Sequence, residues 1–425
     1  MKLVAYIKHR LAASDFLRYN AVFFVGSFAI SALNYLYYPV LGRLMPAAQF
    51  GEVQALVSLF LQATIFLGVV SNVAVNVVAG QKDEDQAGRI VLELERLATF
   101  ITVVTVIIGI IFIAPIQAWL RFTHPMPFIV LAVVLVASVP LALRQAYIRG
   151  RNAFGILSIA GVAAAGVKLI ASAVLVMLGF GTAGAIGGLV VAQILAFWYA
   201  ASQARRLGLT QHMGKFWRRP DMALIKPQLP YAGLVLVVSL VTTAQFSFDI
   251  LIIKHYFSAE VAGAYAGIAT VARIIFFLTG SVAGVLLSNV NAKNGHPANR
   301  ALLWRSMGLQ SLLGGSALIF FSLFPAFVTQ LLIGPRYLDY AHLLPELSLT
   351  LFIIAFANLL LTYDLALRRL SSAVVAILGA LITIALISFS HGSPEAVVRS
   401  LLLGSVAMLV IRFGDSAKRK LLRSE

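Results

Sequence analysis

The stretch GVAAAGVKLIASAVLVMLGFG, residues 161–181, is long and apolar enough to cross a bilayer, yet Lys168 sits near its middle. A lysine at the bilayer centre costs on the order of 2.5–3.5 kcal/mol on insertion scales. Its helical neighbours at i−7, i−4, i−3, i+3 and i+4 are Gly161, Ala164, Ala165, Ala171 and Ser172. Small residues of this kind mark a helix contact or a cavity wall rather than a lipid face. Arg273 is a second deep cation. It lies at mid-depth in the apolar stretch 262–290 and shares a face with Ala266, Ala269, Thr270 and Gly280, although also with Phe276 and Phe277. Asp249, toward the end of the stretch before it, is about 8 Å from Arg273 in depth at the rise of an α-helix. Two readings are open. In one the charges are structural: Arg273 pairs with Asp249, and Lys168 with a carboxylate or carbonyls. In the other the cations face inward to meet an anionic substrate, because Arg and Lys are the usual partners of phosphate.

The neutral polar residues inside apolar stretches divide the same way. Asn34 lies one turn from Tyr37 and Tyr38, Asn72 and Asn76 share one helix face, and Gln245 stands one turn before Asp249. Interhelical hydrogen bonds account for such residues, and so does binding of a ligand rich in hydroxyls. Asp364, four residues before Arg368, reads as an ordinary i,i+4 pair.

The elements that must position these residues are membrane spans. Of 425 residues 60% are hydrophobic and only 12% charged, about half the charged fraction of a soluble domain. Apolar runs recur at about 19–41, 52–79, 96–118, 126–147, 156–178, 182–204, 231–254, 262–290, 304–324, 343–367, 371–389 and 394–413, each long enough for ~30 Å of hydrocarbon. The expected fold is an all-α polytopic membrane protein of twelve transmembrane helices. Of the 33 Lys and Arg, 26 fall on the side of the N-terminus in alternate connections. Five fall on the other side, and the remaining two are Lys168 and Arg273. This asymmetry follows the positive-inside rule and puts both termini in the cytoplasm. The first eighteen residues read as a short helix on the inner surface, not as a cleaved signal.

The +17 net charge therefore serves topology and anionic headgroups, and nucleic acid is not an expected partner. With no cysteine there is no disulfide framework or thiolate site. No phosphate-binding G-x-x-x-x-G-K-[ST] loop is present. GFGTAG (179–184) fits G-x-G-x-x-G in letters only; without a βαβ context it reads as a tight hairpin between spans. The seven histidines lack metal-ligand spacing, and no Ser/His/Asp set can be assembled. The chain is expected to be neither an enzyme nor a cofactor or metal protein.

The longest polar connection, 205–230, falls at the midpoint, with six spans on each side. The halves echo each other at an offset near 212, where GRLMPAAQFGEVQAL (42–56) matches KHYFSAEVAGAYAGI (254–268) and Gly51 falls on Gly263. Because six is even, both halves enter from the same side, which is the parallel class of transporter repeat. The expected organisation is an N-terminal lobe (1–204), a cytoplasmic linker (205–230) and a C-terminal lobe (231–425). The two six-helix bundles would be related by a pseudo-two-fold axis along the membrane normal.

FLRYNAVFFVGSFAISALNYLYYPVLGRLMPAAQFGEVQAL (16–56), QAYIRGRNAFG (145–155), FDILIIKHYFSAEVAGAYAGIATVAR (248–273) and LLIGPRYLDYAHLLPELSL (331–349) carry a resemblance. Together they resemble the polysaccharide flippases of the multidrug/oligosaccharidyl-lipid/polysaccharide exporter superfamily. The third segment is the most specific, with Asp249, Gly263, Tyr265 and Arg273 at family-typical positions. A proline common late in the eighth span is missing from VAGVLLSNVNAK. Twelve spans also set the chain apart from the fourteen-span peptidoglycan-precursor flippases. The resemblance implies alternating access of a central cavity in the cell membrane and a lipid-linked oligosaccharide carrying a pyrophosphate. Its implied partners are membrane lipids and the polymerase or glycosyltransferases of polysaccharide synthesis. On this reading Arg273 and Lys168 neutralise the pyrophosphate. Asn34, Asn72, Asn76 and Gln245 bond sugar hydroxyls, and Asp249 holds Arg273 or takes part in switching. The alternatives are a cation-coupled small-molecule exporter of the same fold and a non-transporting membrane subunit of a polysaccharide synthase.

Overall fold

The computed structural model describes residues 26, 28–80, 84–209, 229–290, 295–367 and 369–421. The expected N-terminal surface helix and most of the 205–230 connection lie outside them. The described residues are helical, and ten stretches among them are long and apolar enough to span a membrane. One of the ten, Phe154–Arg206, is a hairpin: its two arms pack along each other, and its tip, Val176–Phe180, carries Gly179 at φ 91°. Gly181 follows at φ 50°. Both angles fall in the left-handed region that glycine enters without steric cost, which is how GFGTAG turns the chain.

The chain divides into two compact units, one of 1–44, 66–114 and 124–228, the other of 45–65, 115–123 and 229–425. The first unit contains α1 (28–44), the second half of α2 (Ala47–Gly80), α3 (Glu84–Ile111), α5 (Met126–Gly150), α6 (Phe154–Leu175) and α7 (Gly181–Arg206). Along α7 the residues Gly184, Gly188, Ala192, Ala196, Ala200 and Ala204 recur at i+4, and all are buried. Such a stripe lets backbones approach closely where lipid gives no hydrophobic drive between helices. A Cβ on Gly188 would lie 2.1 Å from the Ser172 hydroxyl of α6. At the other end of the unit, Leu67 and Val78 of α2, Leu94 of α3, Leu143 and Tyr147 of α5 and Ala204 of α7 form an apolar core.

The second unit contains the first half of α2, most of α4 (Ile113–Trp119), α8 (Leu229–Tyr256), α9 (Ala259–Asn289), α10 (Gly295–Leu323), α11 (Pro325–Leu332), a 3-10 segment (Pro335–Leu343), α12 (Leu344–Ala366), α13 (Ser371–Phe389) and α14 (Pro394–Leu421). Ser258 caps α9 by accepting from the Val261 amide. Buried α12 packs on α9, α10 and α14. Leu361 belongs to an apolar cluster with Val238, Val375 and Met408, and Tyr363 to another with Val282 and Leu286.

α2 belongs to both units, with the boundary between Ile65 and Phe66. Near its start it crosses α9 at two glycines. A Cβ on Gly51 would lie 2.8 Å from Gly263 Cα, and one on Gly263 would lie 1.9 Å from the Ala47 carbonyl oxygen. These are the two glycines that the 212-residue offset makes equivalent.

Candidate functional site

Each unit holds one of the two cations expected at mid-span, set in a cluster of its own. In the first, α1 and α6 approach where side chains are smallest: a Cβ on Gly161 would meet the Ile30 side chain at 2.3 Å. Two turns on from Gly161, Lys168 reaches α1. Its ammonium donates to Asn34 Oδ1 and lies 4.6 Å from the centroid of the Tyr37 ring. Ile30, Asn34 and Tyr37 follow at i+4 and i+7, one face of α1. Tyr37 is fixed in turn, because its hydroxyl donates to the Ala185 carbonyl of α7 at 3.1 Å, which also accepts from Ser172 at 2.8 Å. Ala165 and Ser172, flanking Lys168 on its own face, are buried. Lys168 itself is half-buried. Among the described residues it has no carboxylate partner; a neutral oxygen and an aromatic face are what hold it.

The second cluster is more closed. Arg273 is 7% exposed and Asp249 5%, and their side chains meet at 2.6 Å. Arg273 Nε donates to the Phe246 carbonyl at 3.2 Å, and its guanidinium lies over the Phe246 ring, 5.1 Å from the centroid. The buried Tyr265 hydroxyl donates to Asp249 Oδ2 at 3.0 Å. Both carboxylate oxygens and two edges of the guanidinium are thus engaged inside the protein. Phe246, Asp249 and Arg273 come together because i and i+3 on α8 share a face turned to the middle of α9.

The remaining expected residues are not gathered into either cluster. Asn72 and Asn76 are exposed on the half of α2 that belongs to the first unit. Gln245 is buried, and neither polar atom of its amide finds a hydrogen-bond partner among the described residues. Asp364 contacts Arg369 and Arg412, while Arg368, its expected partner, lies outside the described residues. Sequence reasoning missed Tyr37 and Phe246 as aromatic supports. It also passed over Lys254 at the edge of the span 231–254: Lys254 is 1% exposed at the end of α8, 3.9 Å from Glu52 and 5.2 Å from the Phe122 ring centroid. Its place directly behind the apolar run FDILII was the available signal.

Buried carboxylates among the described residues are Glu95, Asp249 and Asp364. Each contacts arginine: Arg144, Arg273, and Arg369 with Arg412. No group of His, Cys, Asp or Glu among the described residues could hold a metal ion. The chemistry on offer is recognition of charge and of hydroxyls.

The family model described as polysaccharide biosynthesis protein matches residues 16–287. No curated protein sequence matches the chain. Among solved structures the chain is similar to the lipid II flippase MurJ in an inward closed conformation. The identity is 12%, with 93% of this chain and 87% of that chain covered, at a TM-score of 0.73. It is also similar to an inward-facing multidrug resistance MATE family transporter of the MOP superfamily (14%, 93% and 96%, TM-score 0.68). A third is a MOP superfamily transporter from Pyrococcus furiosus, whose binding pocket is described as reversed in polarity (16%, 95% and 94%, TM-score 0.58). At these identities the likeness is one of fold.

Proposed function

The chain belongs to the polysaccharide biosynthesis protein family, and from that premise we propose that it is a flippase. It moves a lipid-linked oligosaccharide or polysaccharide repeat unit from the cytoplasmic to the outer leaflet by alternating access. The observation that carries this reading is Lys168: a half-buried ammonium within an apolar helix, held by Asn34 and Tyr37 with no carboxylate beside it among the described residues. A cation in that setting lacks its counter-ion, and the phosphate of a glycan lipid supplies one. Asn34 and the unsatisfied amide of Gln245 serve sugar hydroxyls, and Asn72 and Asn76 line the route. Arg273, already neutralised by Asp249, holds its unit together and contributes a weaker field to the anion.

The cation-coupled exporter is disfavoured by the same geometry. Proton or sodium exchange needs a buried carboxylate free to change its charge, and each of the three buried ones contacts arginine. The membrane potential assists export of an anion from a negative-inside cell, by about 2.3 kcal/mol per charge per 100 mV. We place the protein in the cell membrane with both termini cytoplasmic and two six-helix lobes, 1–204 and 231–425, joined by the 205–230 linker. Single cysteines at Gly181 and Gln211 then label from opposite sides of the membrane; same-side labelling overturns the topology. For function, cells lacking the gene regain polysaccharide export with the wild-type chain and not with Lys168→Met at equal protein level. Full export by that variant overturns the anion site.

A further inference from the structure

The two halves of α2 are held by different chemistry. Its second half enters an apolar core through Leu67, Ala74 and Val78. Its first half buries Phe50, Val53, Ala55 and Leu56 as well, but it also meets α8 and α9 through polar groups spaced one turn apart. Gln54 Nε2 donates to the Thr270 hydroxyl at 2.7 Å, the Ser58 hydroxyl to the Ser247 carbonyl, and Gln62 Nε2 to the Ser247 hydroxyl at 3.1 Å. Thr270 and Ser247 donate in turn to Ala266 and Thr243 of their own helices, at 2.7 Å each. Gln54, Ser58, Ser247 and Thr270 are all buried. The Gly51–Gly263 crossing lies one turn above Gln54 on the same face of α2.

Of the two contacts, the first half's carries the polar groups that a polar ligand can satisfy in turn. Lifting Leu67 and Val78 out of their core exposes apolar packing that nothing else replaces. Parting the polar face strands donors and acceptors at about 1–3 kcal/mol each, but only until another polar partner arrives. In an apolar span that partner is water or a ligand dense in hydroxyls. Successive groups at 54, 58 and 62 rise about 6 Å per step, a repeat on the scale of one sugar ring.

We propose that Gln54, Ser58 and Gln62 of α2, with Ser247 and Thr270 opposite, form a glycan-binding strip. It is closed on itself in this structure and takes sugar hydroxyls when the first half of α2 parts from α8 and α9. This rests on the flippase reading and deepens it, because the strip reads the sugar while Lys168 reads the anion. It also couples opening to cargo: the glycan replaces the hydrogen bonds that opening breaks, so it shifts the population toward the open form.

The test separates closure from binding. Replacing both partners of a pair by apolar groups of similar shape is nearly neutral for a closed contact, so Gln54→Leu with Thr270→Val closes normally but offers a sugar no hydrogen bond at that step of the strip. The wild type and this double variant are placed in nanodiscs. They are titrated with a labelled extract of glycan lipids from polysaccharide-producing cells, and with the same extract after mild acid has removed the sugars. The wild type binds the intact extract about tenfold more tightly than the stripped one, the worth of one or two hydrogen bonds. The double variant melts as the wild type does and loses most of that discrimination. The pair Ser58→Ala with Gln62→Leu gives the same loss of discrimination and serves if the first variant folds poorly. Wild-type discrimination in the folded variants overturns the strip alone; binding of neither extract by the wild type overturns the flippase reading and the strip with it.

Discussion

Lys168 and Arg273 pose the same problem in an apolar helix, and the two units solve it in opposite ways. Arg273 is closed in by a carboxylate, a carbonyl and a ring, and its partner Asp249 is closed in by Tyr265. Lys168 has a neutral oxygen and a ring, and it is half-buried where Arg273 is buried. One charge is spent within the fold; the other is left with its field unbalanced. The planar guanidinium suits the first task, since its fork engages several acceptors at once. A compact ammonium on a flexible stem suits the second. Depth in the membrane therefore does not by itself identify a substrate-binding cation. On the flippase reading proposed above, the number of counter-charges already in contact is what sets Lys168 apart.

The largest effect should come from breaking the closed cluster. Asp249→Ala leaves a buried guanidinium without its counter-ion and should cost about 3–5 kcal/mol, read as a lowered melting midpoint and lower membrane levels. Arg273→Met together with Asp249→Leu removes both charges and should recover most of that loss. A wild-type melting midpoint for Asp249→Ala would mean that Arg273 is not spent on Asp249, and the contrast with Lys168 would collapse.

Lys168→Met is the complementary experiment. No carboxylate among the described residues is orphaned, so stability should hold or rise, while substrate affinity falls by the ~1.5–3 kcal/mol of a charged hydrogen bond, roughly ten- to a hundredfold. Measuring melting and glycan-lipid binding on the same preparation sorts the two clusters. A destabilised Lys168→Met with intact binding would make Lys168 another structural charge. Next in size is Gly263→Ala. Its Cβ would fall 1.9 Å from the Ala47 carbonyl oxygen, and overpacking of this kind costs about 1–3 kcal/mol. The strain bears on the contact between α2 and α9 alone, so binding of the acid-stripped lipid should be spared. If that binding falls as far as in Lys168→Met, the two regions are not separable in this way.

Much of the fold was legible because hydropathy in a bilayer is a strong constraint. The expected spans 371–389 and 343–367 differ from α13 and α12 by at most a residue at either end. The tight hairpin expected at GFGTAG is there because Gly179 and Gly181 take up positive φ. Other elements escaped for physical reasons. α11 and the 3-10 segment, Pro325–Leu343, are too short for periodicity to show, and the region read as a loop. The break at Phe112, between α3 and α4, has neither glycine nor proline at it. Nothing in composition changes at Ile65, where α2 passes from one unit to the other. The Arg273–Asp249 pair was foreseeable from depth alone, since the two stretches adjoin in the chain. Asn34 and Lys168 stand 134 residues apart, and no local pattern announces that contact. The i+4 stripe of glycine and alanine along α7 was readable and would have shown how that helix packs.

The smallest expected effect concerns the support beneath Lys168. Tyr37 offers two things: a ring face toward the ammonium and a hydroxyl toward the Ala185 carbonyl. Tyr37→Phe keeps the first and deletes the second. The carbonyl is not orphaned, because Ser172 still donates to it at 2.8 Å. The loss should therefore lie near the lower end of a net hydrogen bond, about 0.5 kcal/mol, and export should stay within about twofold of wild type. Tyr37→Leu removes the ring face as well, and a desolvated cation–π contact is worth up to about 2 kcal/mol, so it should fall between Tyr37→Phe and Lys168→Met in glycan-lipid binding. That order belongs to a ring that holds the ammonium in place for an anion. If Tyr37→Phe alone matched Lys168→Met, the hydroxyl would itself be a ligand for the cargo rather than a support for the ring.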